Sequence, residues 1–166
     1  MSRPNKHRYF LDIALGVSKR STCVRRQYGA VIVKDNKIVG TGYNGSARSV
    51  INCNEIGCIK DVLNQPHGGS YEYCPAVHAE ENALINSDVA PKKGATMYIA
   101  GTNDGGNVVE AIPCKYCKRK IINAGIGEVV ILTGRDDYWF LDPSDWADED
   151  TDRYLDLWDK AKRGEL

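Results

Sequence analysis

The stretch Gly29-Ala30-Val31-Ile32-Val33, Lys34-Asp35-Asn36-Lys37, Ile38-Val39-Gly40-Thr41-Gly42-Tyr43 reads as strand, turn and returning strand. Branched apolar residues on both sides of a polar four-residue break predict a β-hairpin. Upstream, residues 8 to 20 place Tyr9, Phe10, Ile13, Ala14 and Val17 at helical spacing, which predicts an amphipathic first helix. Downstream, a helix is expected from His78 to Ser87, a strand from Ala95 to Ala100 and a Gly-rich turn from Gly101 to Asn107. Pro113 opens another helix through Asn123, with Gly125 placed to stop it. Glu128-Val129-Val130-Ile131-Leu132 is the next strand, and residues 151 to 162 form a last helix with Tyr154, Leu155 and Trp158 on one side. Strands alternating with helices after a hairpin predict an α/β fold, a mixed sheet with helices packed on it.

From Asn44 to Cys74 periodicity is lost, and Gly, Asn and Cys accumulate. A structureless stretch of that length inside a compact domain is unusual, so it is expected to be functional or held by something specific. No internal repeat, low-complexity tract or linker divides the 166 residues. One catalytic domain over residues 1–166 is expected, with an acidic C-terminal extension from about residue 136 to 166.

Lys plus Arg and Asp plus Glu each number 22, a net charge of zero. That balance argues against a nucleic-acid polymer or an anionic membrane as the main partner. Lys19, Arg20, Arg25 and Arg26 are locally dense and suit a small anion, whereas the acidic run from Asp136 to Asp159 reads as a solvated helix face or tail. No stretch approaches the roughly 18 apolar residues of a membrane span. The first residues lead into an amphipathic segment rather than an apolar signal core, so a cytoplasmic setting is expected. Six cysteines in a reducing compartment point to metal rather than disulfides.

The chemistry concentrates in His78-Ala79-Glu80 and Pro113-Cys114-Lys115-Tyr116-Cys117, each at a predicted helix start. A catalytic zinc takes three protein ligands of the His and Cys kind and keeps one position open. Two Cys across the first turn of a helix can reach one metal, and the positive helix end favours the thiolate. Glu80, two positions from His78, is then free to shuttle a proton between water and a leaving amine. His-x-Glu followed by Pro-Cys-x-x-Cys is the known signature of zinc deaminases. It predicts hydroxide attack on an amine-bearing ring carbon, proton transfer through Glu80 and loss of ammonia. A purely structural zinc would need a fourth protein ligand and would leave Glu80 without purpose.

From about Tyr9 to Leu132 the chain resembles the deoxycytidylate (dCMP) deaminase family. The resemblance is carried by Ser21-Thr22-Cys23-Val24-Arg25-Arg26-Gln27-Tyr28 into the first strand, Thr41-Gly42-Tyr43-Asn44-Gly45, His78-Ala79-Glu80-Glu81-Asn82-Ala83 and Gly94-Ala95-Thr96-Met97-Tyr98. Pro113-Cys114-x-x-Cys117 through Ile121-Ile122-Asn123-Ala124-Gly125-Ile126 completes it. It implies a three-layer α/β/α fold with a central mixed five-stranded sheet, the conversion of dCMP and water to dUMP and ammonia, and a homo-oligomer, often a hexamer. Control by dCTP and dTTP effectors is implied as well. Asn44 matches a family Asn that would bond the sugar hydroxyl, although Asn-Gly is also a strong turn signal. Ala79 falls in the substrate-binding set. A nucleotide phosphate needs a cation, for which Arg25 and Arg26 are candidates, with Ser21 and Thr22 as hydroxyl donors.

Cys23, Cys53, Cys58 and Cys74 remain, three of them in or beside the loop that lacks periodicity. They are expected either to close a second, structural zinc site, as some family members do nearby, or to be buried thiols; His67 could replace one of them. Two features depart from the family pattern. Ser46-Ala47-Arg48 follows Asn44-Gly45, leaving Arg48 at the phosphate or exposed, and Arg135 comes after Leu132 where a Tyr is common. The segment Tyr138-Trp139-Phe140 and Trp146 is read as helix packing or subunit contact. The competing functional readings are a zinc deaminase acting on another nucleotide, a nucleoside or a tRNA base, and a non-catalytic nucleotide-binding regulator. Retention of Glu80 argues against the regulator.

Overall fold

The structure, a computed structural model, describes residues 3–88 and 92–166. The hairpin forms β1 (Arg26–Lys34) and β2 (Lys37–Tyr43), joined by Asp35 and Asn36 at φ 50° and 61°. Two successive positive φ values make a two-residue turn whose twist matches the strands, and Asp and Asn tolerate them better than other non-Gly residues. β1 reaches back to Arg26, three residues before the apolar run, because its polar start still pairs with β5 (Thr96–Asn103) from Arg26 opposite Asn103 onward.

The sheet runs β2-β1-β5-β7-β8, with β7 at Glu128–Leu132 and β8 at Tyr138–Leu141. Among the described residues only β5 and β7 pair in parallel; β6 (Val108–Val109) adds two residues beside β5. The mixed α/β sheet is as expected. Successive residues feed opposite faces. Val31, Val33, Tyr98, Ala100, Val130 and Leu132 pack under α1 (Lys6–Ser18). Ala30, Ile32, Met97, Ile99, Val129 and Ile131 pack against α4 (Ala79–Ile85) and α5 (Lys115–Asn123) on the other face. This is the period-two alternation of a sheet buried on both sides.

Three expectations need correction. The first helix starts earlier, capped by Asn5, whose side chain accepts from the Arg8 backbone N–H at 2.8 Å; its inner face is Phe10, Leu11, Ala14 and Ser18, while Tyr9 is exposed. The stretch 44–74 is not structureless: it holds β3 (Gly45–Ser46, paired with β4 at Ala76–Val77), α2 (Cys53–Ile56), α3 (Ile59–Val62) and a 3-10 turn at Tyr71–Tyr73. Elements of two to four residues are too short to carry a detectable period. Third, Tyr138-Trp139-Phe140, expected in helix packing or subunit contact, forms the edge strand β8. The last helix, α6 (Pro143–Arg163), begins eight residues before its expected start, capped by Asp142 with Pro143 in its first turn. Only its first turns pack, through buried Pro143 and Trp146. Tyr154, Leu155 and Trp158 stay exposed on the solvated acidic stretch.

Gly42 decides how close α4 can come. A Cβ there would lie 2.2 Å from the Ala83 nitrogen and 2.4 Å from the Ala79 carbonyl oxygen, both backbone atoms of the helix. Gly16, on the exposed side of α1, meets nothing within 4 Å. Gly42→Ala is therefore expected to destabilise by about 1–3 kcal/mol through overpacking, and Gly16→Ala to stabilise by about 0.5–1 kcal/mol through helix propensity. Thermal melts of the two variants check both signs.

Candidate active site

Two helix starts meet beside the sheet. His78 is the residue preceding α4 and Cys114 the residue preceding α5, both with extended backbone. α4 is tied to β2 by Asn82, whose side chain donates to the Tyr43 carbonyl at 2.8 Å, and by Asn86 to the Thr41 carbonyl at 3.0 Å. Lys120 of α5 and Glu81 of α4 form an ion pair at 2.5 Å. The chain so positioned places His78 Nδ1 3.5 Å from Cys114 Sγ and 3.4 Å from Cys117 Sγ. Among the described residues this is the one group of three or more His, Cys, Asp or Glu whose donor atoms lie within 4.8 Å of one another.

A tetrahedral zinc with Zn–N near 2.0–2.1 Å and Zn–S near 2.3 Å separates its N and S ligands by about 3.6 Å. The observed spacings fit, and the donors are the borderline-soft set zinc prefers. Hydrogen bonds with Cys117 and His78 hold the Cys114 thiol far below its usual range, so it is a ready thiolate; Cys117 is pushed up by the same hydrogen bond. The hydrogen bond to Cys114 raises His78. Glu80 follows in the first turn of α4, 7% exposed, and burial raises its carboxyl above the ordinary range. A carboxyl so held binds a proton more readily than a surface Glu.

These residues open onto a cavity of about 360 Å³, lined by His78, Ala79, Glu80 and Cys114 at one part. Thr22, Arg25, Arg26 and Asn44 line it too, as do Cys23, Cys53, Cys58, Cys74 and His67. Ser21 does not line it: its hydroxyl donates to Asn44 Oδ1 at 2.8 Å. That Asn44 oxygen also accepts from the Tyr28 backbone N–H at 2.7 Å, while its Nδ2 donates to the Arg26 carbonyl at 2.9 Å. Asn44 therefore knits the strand ends together and keeps one N–H over. Arg26 reaches the Tyr28 hydroxyl at 3.3 Å. Arg48 and Arg135 are exposed and outside the lining.

All six cysteines are free thiols. Cys23, Cys53, Cys58 and Cys74 share the cavity wall, and burial, with the other three thiols nearby, raises Cys53. Two residues escaped the sequence reading. Tyr71 sets its ring edge-on to His78, centroids 5.3 Å apart, and burial pushes its hydroxyl up to about 12. Lys60 is buried in the cavity wall. Neither carries a sequence signal, since both lie where no period or motif positions a side chain.

Residues 4–133 match the family described as cytidine and deoxycytidylate deaminase zinc-binding region. The deoxycytidylate deaminase of Schizosaccharomyces pombe is 37% identical over 79% of this chain, and the chain spans 38% of that relative's length. The deoxycytidylate deaminase of Mycobacterium phage D29 is 38% identical over 78% of this chain and 96% of that protein. The fold is similar to that of a dCMP deaminase from cyanophage S-TIM5 solved in complex with dCMP and dUMP, with a TM-score of 0.55 and 24% identity over 79% of this chain and 83% of the other. Because the matched region holds both ligand-bearing helix starts and Glu80, the chain belongs to the cytidine and deoxycytidylate deaminase zinc-binding family.

Proposed function

We propose that this chain is a hydrolytic deaminase that converts dCMP and water to dUMP and ammonia, using a zinc ion held by His78, Cys114 and Cys117. The observation that carries the proposal is the His78 Nδ1 spacing of 3.5 and 3.4 Å to two sulfurs, with buried Glu80 on the same cavity wall. The two relatives named for this reaction support dCMP as substrate.

Bound zinc would make water a nucleophile at neutral pH. Glu80 takes the proton released from that water and returns it to the departing amine, so one carboxyl serves as base and then acid. Its burial, which raises the carboxyl above the ordinary range, favours its taking up that proton. Ala79 opens α4, where a backbone N–H has no intrahelical acceptor and can donate to the ring carbonyl. Asn44 is the candidate for the sugar hydroxyl through its remaining N–H, and Thr22, Arg25 and Arg26 for the phosphate.

The same proposal includes a second, structural zinc at Cys23, Cys53, Cys58 and Cys74, supported by their shared place on the cavity lining and by the action of the other three thiols on Cys53; no three of these sulfurs lie within 4.8 Å of one another, so binding the ion draws them together. It further treats residues 1–166 as one catalytic domain acting as a cytoplasmic homo-hexamer under dCTP and dTTP control. Half-exposed Trp139, Phe140, Tyr154 and Trp158 offer apolar surface for subunit contact.

Ammonia release from dCMP by the purified protein is the direct test. Glu80→Gln is expected to lower kcat by about 10²–10⁴-fold with metal content unchanged; no turnover by the unaltered protein contradicts the reading. Metal analysis is expected to give two zinc per chain, falling to one in Cys53→Ser. One zinc in the parent, unchanged in Cys53→Ser, would confine metal to His78, Cys114 and Cys117.

A further inference from the structure

α3 is folded inside out. Its lysine, Lys60, is 7% exposed, while Ile59 and Val62 beside it are 44% and 76% exposed. Lys60 Nζ donates to the Gly69 carbonyl and sits 5.6 Å from the centroid of the Tyr71 ring. Among the described residues no carboxylate approaches it within 4.0 Å. Burying an ammonium without an anion is costly, and it is costlier still when apolar side chains are left in water to do it. Lys60 therefore lines the cavity as a cation with no carboxylate of its own among the described residues.

The neighbours of Lys60 point the same way. Arg25 is held by Asp61, 3.1 Å from its Nε, and donates through Nη2 to the Gln65 carbonyl at 2.9 Å. Its Nη1 is buried with no hydrogen-bond partner among the described residues, and so are Thr22 Oγ1 and Ser46 Oγ. Buried polar atoms without partners are rare, and these three belong to residues that line one cavity with Lys60. Burial, then Arg25, Arg26 and Lys60 in turn, push the His67 imidazole down, so three cations act on this corner, while Asp61 cancels one. These cations, with one paired carboxylate among them, suit a phosphate monoester, which carries about −1.5 to −2 at pH 7. The carboxylates on the lining itself are Glu80, beside the metal donors, and exposed Glu110, four residues before Cys114.

Resting on the deamination reading, we infer that Lys60 is the residue that makes this site select a 5′-monophosphate over the free nucleoside. It binds the phosphate with the Thr22 and Ser46 hydroxyls, while Asp61 and Gln65 aim Arg25 as the second cation. The loop from Asn44 to Cys74 is thereby the phosphate-reading wall of the cavity, with α3 inverted for that purpose. A Lys60 that served only to tie α3 to Gly69 would affect nucleotide and nucleoside alike.

The test compares zinc-loaded parent, Lys60→Met and Lys60→Arg on dCMP and deoxycytidine. The ratio of kcat/KM for dCMP to that for deoxycytidine is expected to fall roughly 10- to 100-fold in Lys60→Met, mainly through KM, as for loss of a hydrogen bond to a charged group. Lys60→Arg is expected to recover most of the ratio. Inorganic phosphate is expected to raise the Tm of the parent protein and not that of Lys60→Met, a readout that needs no turnover. Ligand-free Lys60→Met is expected to melt at or above the parent temperature. An unchanged substrate ratio with an unchanged phosphate shift would overturn the role of Lys60. A parent protein that deaminates neither compound, yet loses its phosphate shift on Lys60→Met, would instead sink the substrate assignment and leave the anion pocket standing.

Discussion

The metal donors exist as a set only because two helices begin at the same place. His78 and Cys114 each stand immediately before a first helical turn, and Cys117 lies one turn into α5. The free backbone N–H groups of both starts therefore face the region of the sulfurs and favour their thiolate form. What sets the separation is the sheet. Gly42 lets the backbone of α4 lie directly on β2, and Asn82 and Asn86 bond it there. The Lys120–Glu81 pair is partly exposed and adds little energy, but it bridges the two helices whose starts carry the ligands. A shift of either helix by a fraction of an ångström would spoil a spacing that matches a tetrahedral ion.

The cavity lining carries two kinds of group. His78, Glu80 and Cys114 belong to the metal-donor cluster, and Arg25, Arg26 and Lys60 are cations acting near His67, with Asp61 paired to Arg25. The irregular stretch between Asn44 and Cys74 supplies Lys60 and three of the four remaining thiols to the cavity lining, and the two helix starts supply His78, Glu80 and Cys114.

How much of this could be read from the sequence follows from the range of each interaction. The hairpin was legible because Asp35-Asn36 sits between two β-rich runs, and the ligand helices because His78 and Pro113-Cys114 are start signals. The metal donors were legible because zinc constrains both residue type and spacing. Strand β8 was not, since Tyr138-Trp139-Phe140 is uniformly aromatic and pairs only with β7, a choice made by tertiary contact. The start of α6 was missed although Asp142-Pro143 is a local signal, because the acidic run that follows resembles a tail. Lys60 and Tyr71 were beyond reach: a lysine inside and isoleucine outside inverts the rule on which pattern reading depends. Asn44 lines the cavity, whereas Ser21, expected as a phosphate donor, is spent on Asn44 Oδ1, a hydrogen bond that only the folded chain reveals.

The spacing of His78, Cys114 and Cys117 implies a metal centre of three protein donors and one open position. Diffraction from zinc-loaded crystals on both sides of the zinc absorption edge decides whether it exists. An anomalous peak is expected about 2.0 Å from His78 Nδ1 and about 2.3 Å from the sulfurs of Cys114 and Cys117, with a non-protein ligand in the fourth position beside Glu80. An empty site there in zinc-loaded crystals, or a fourth protein ligand closing the coordination sphere, would contradict it.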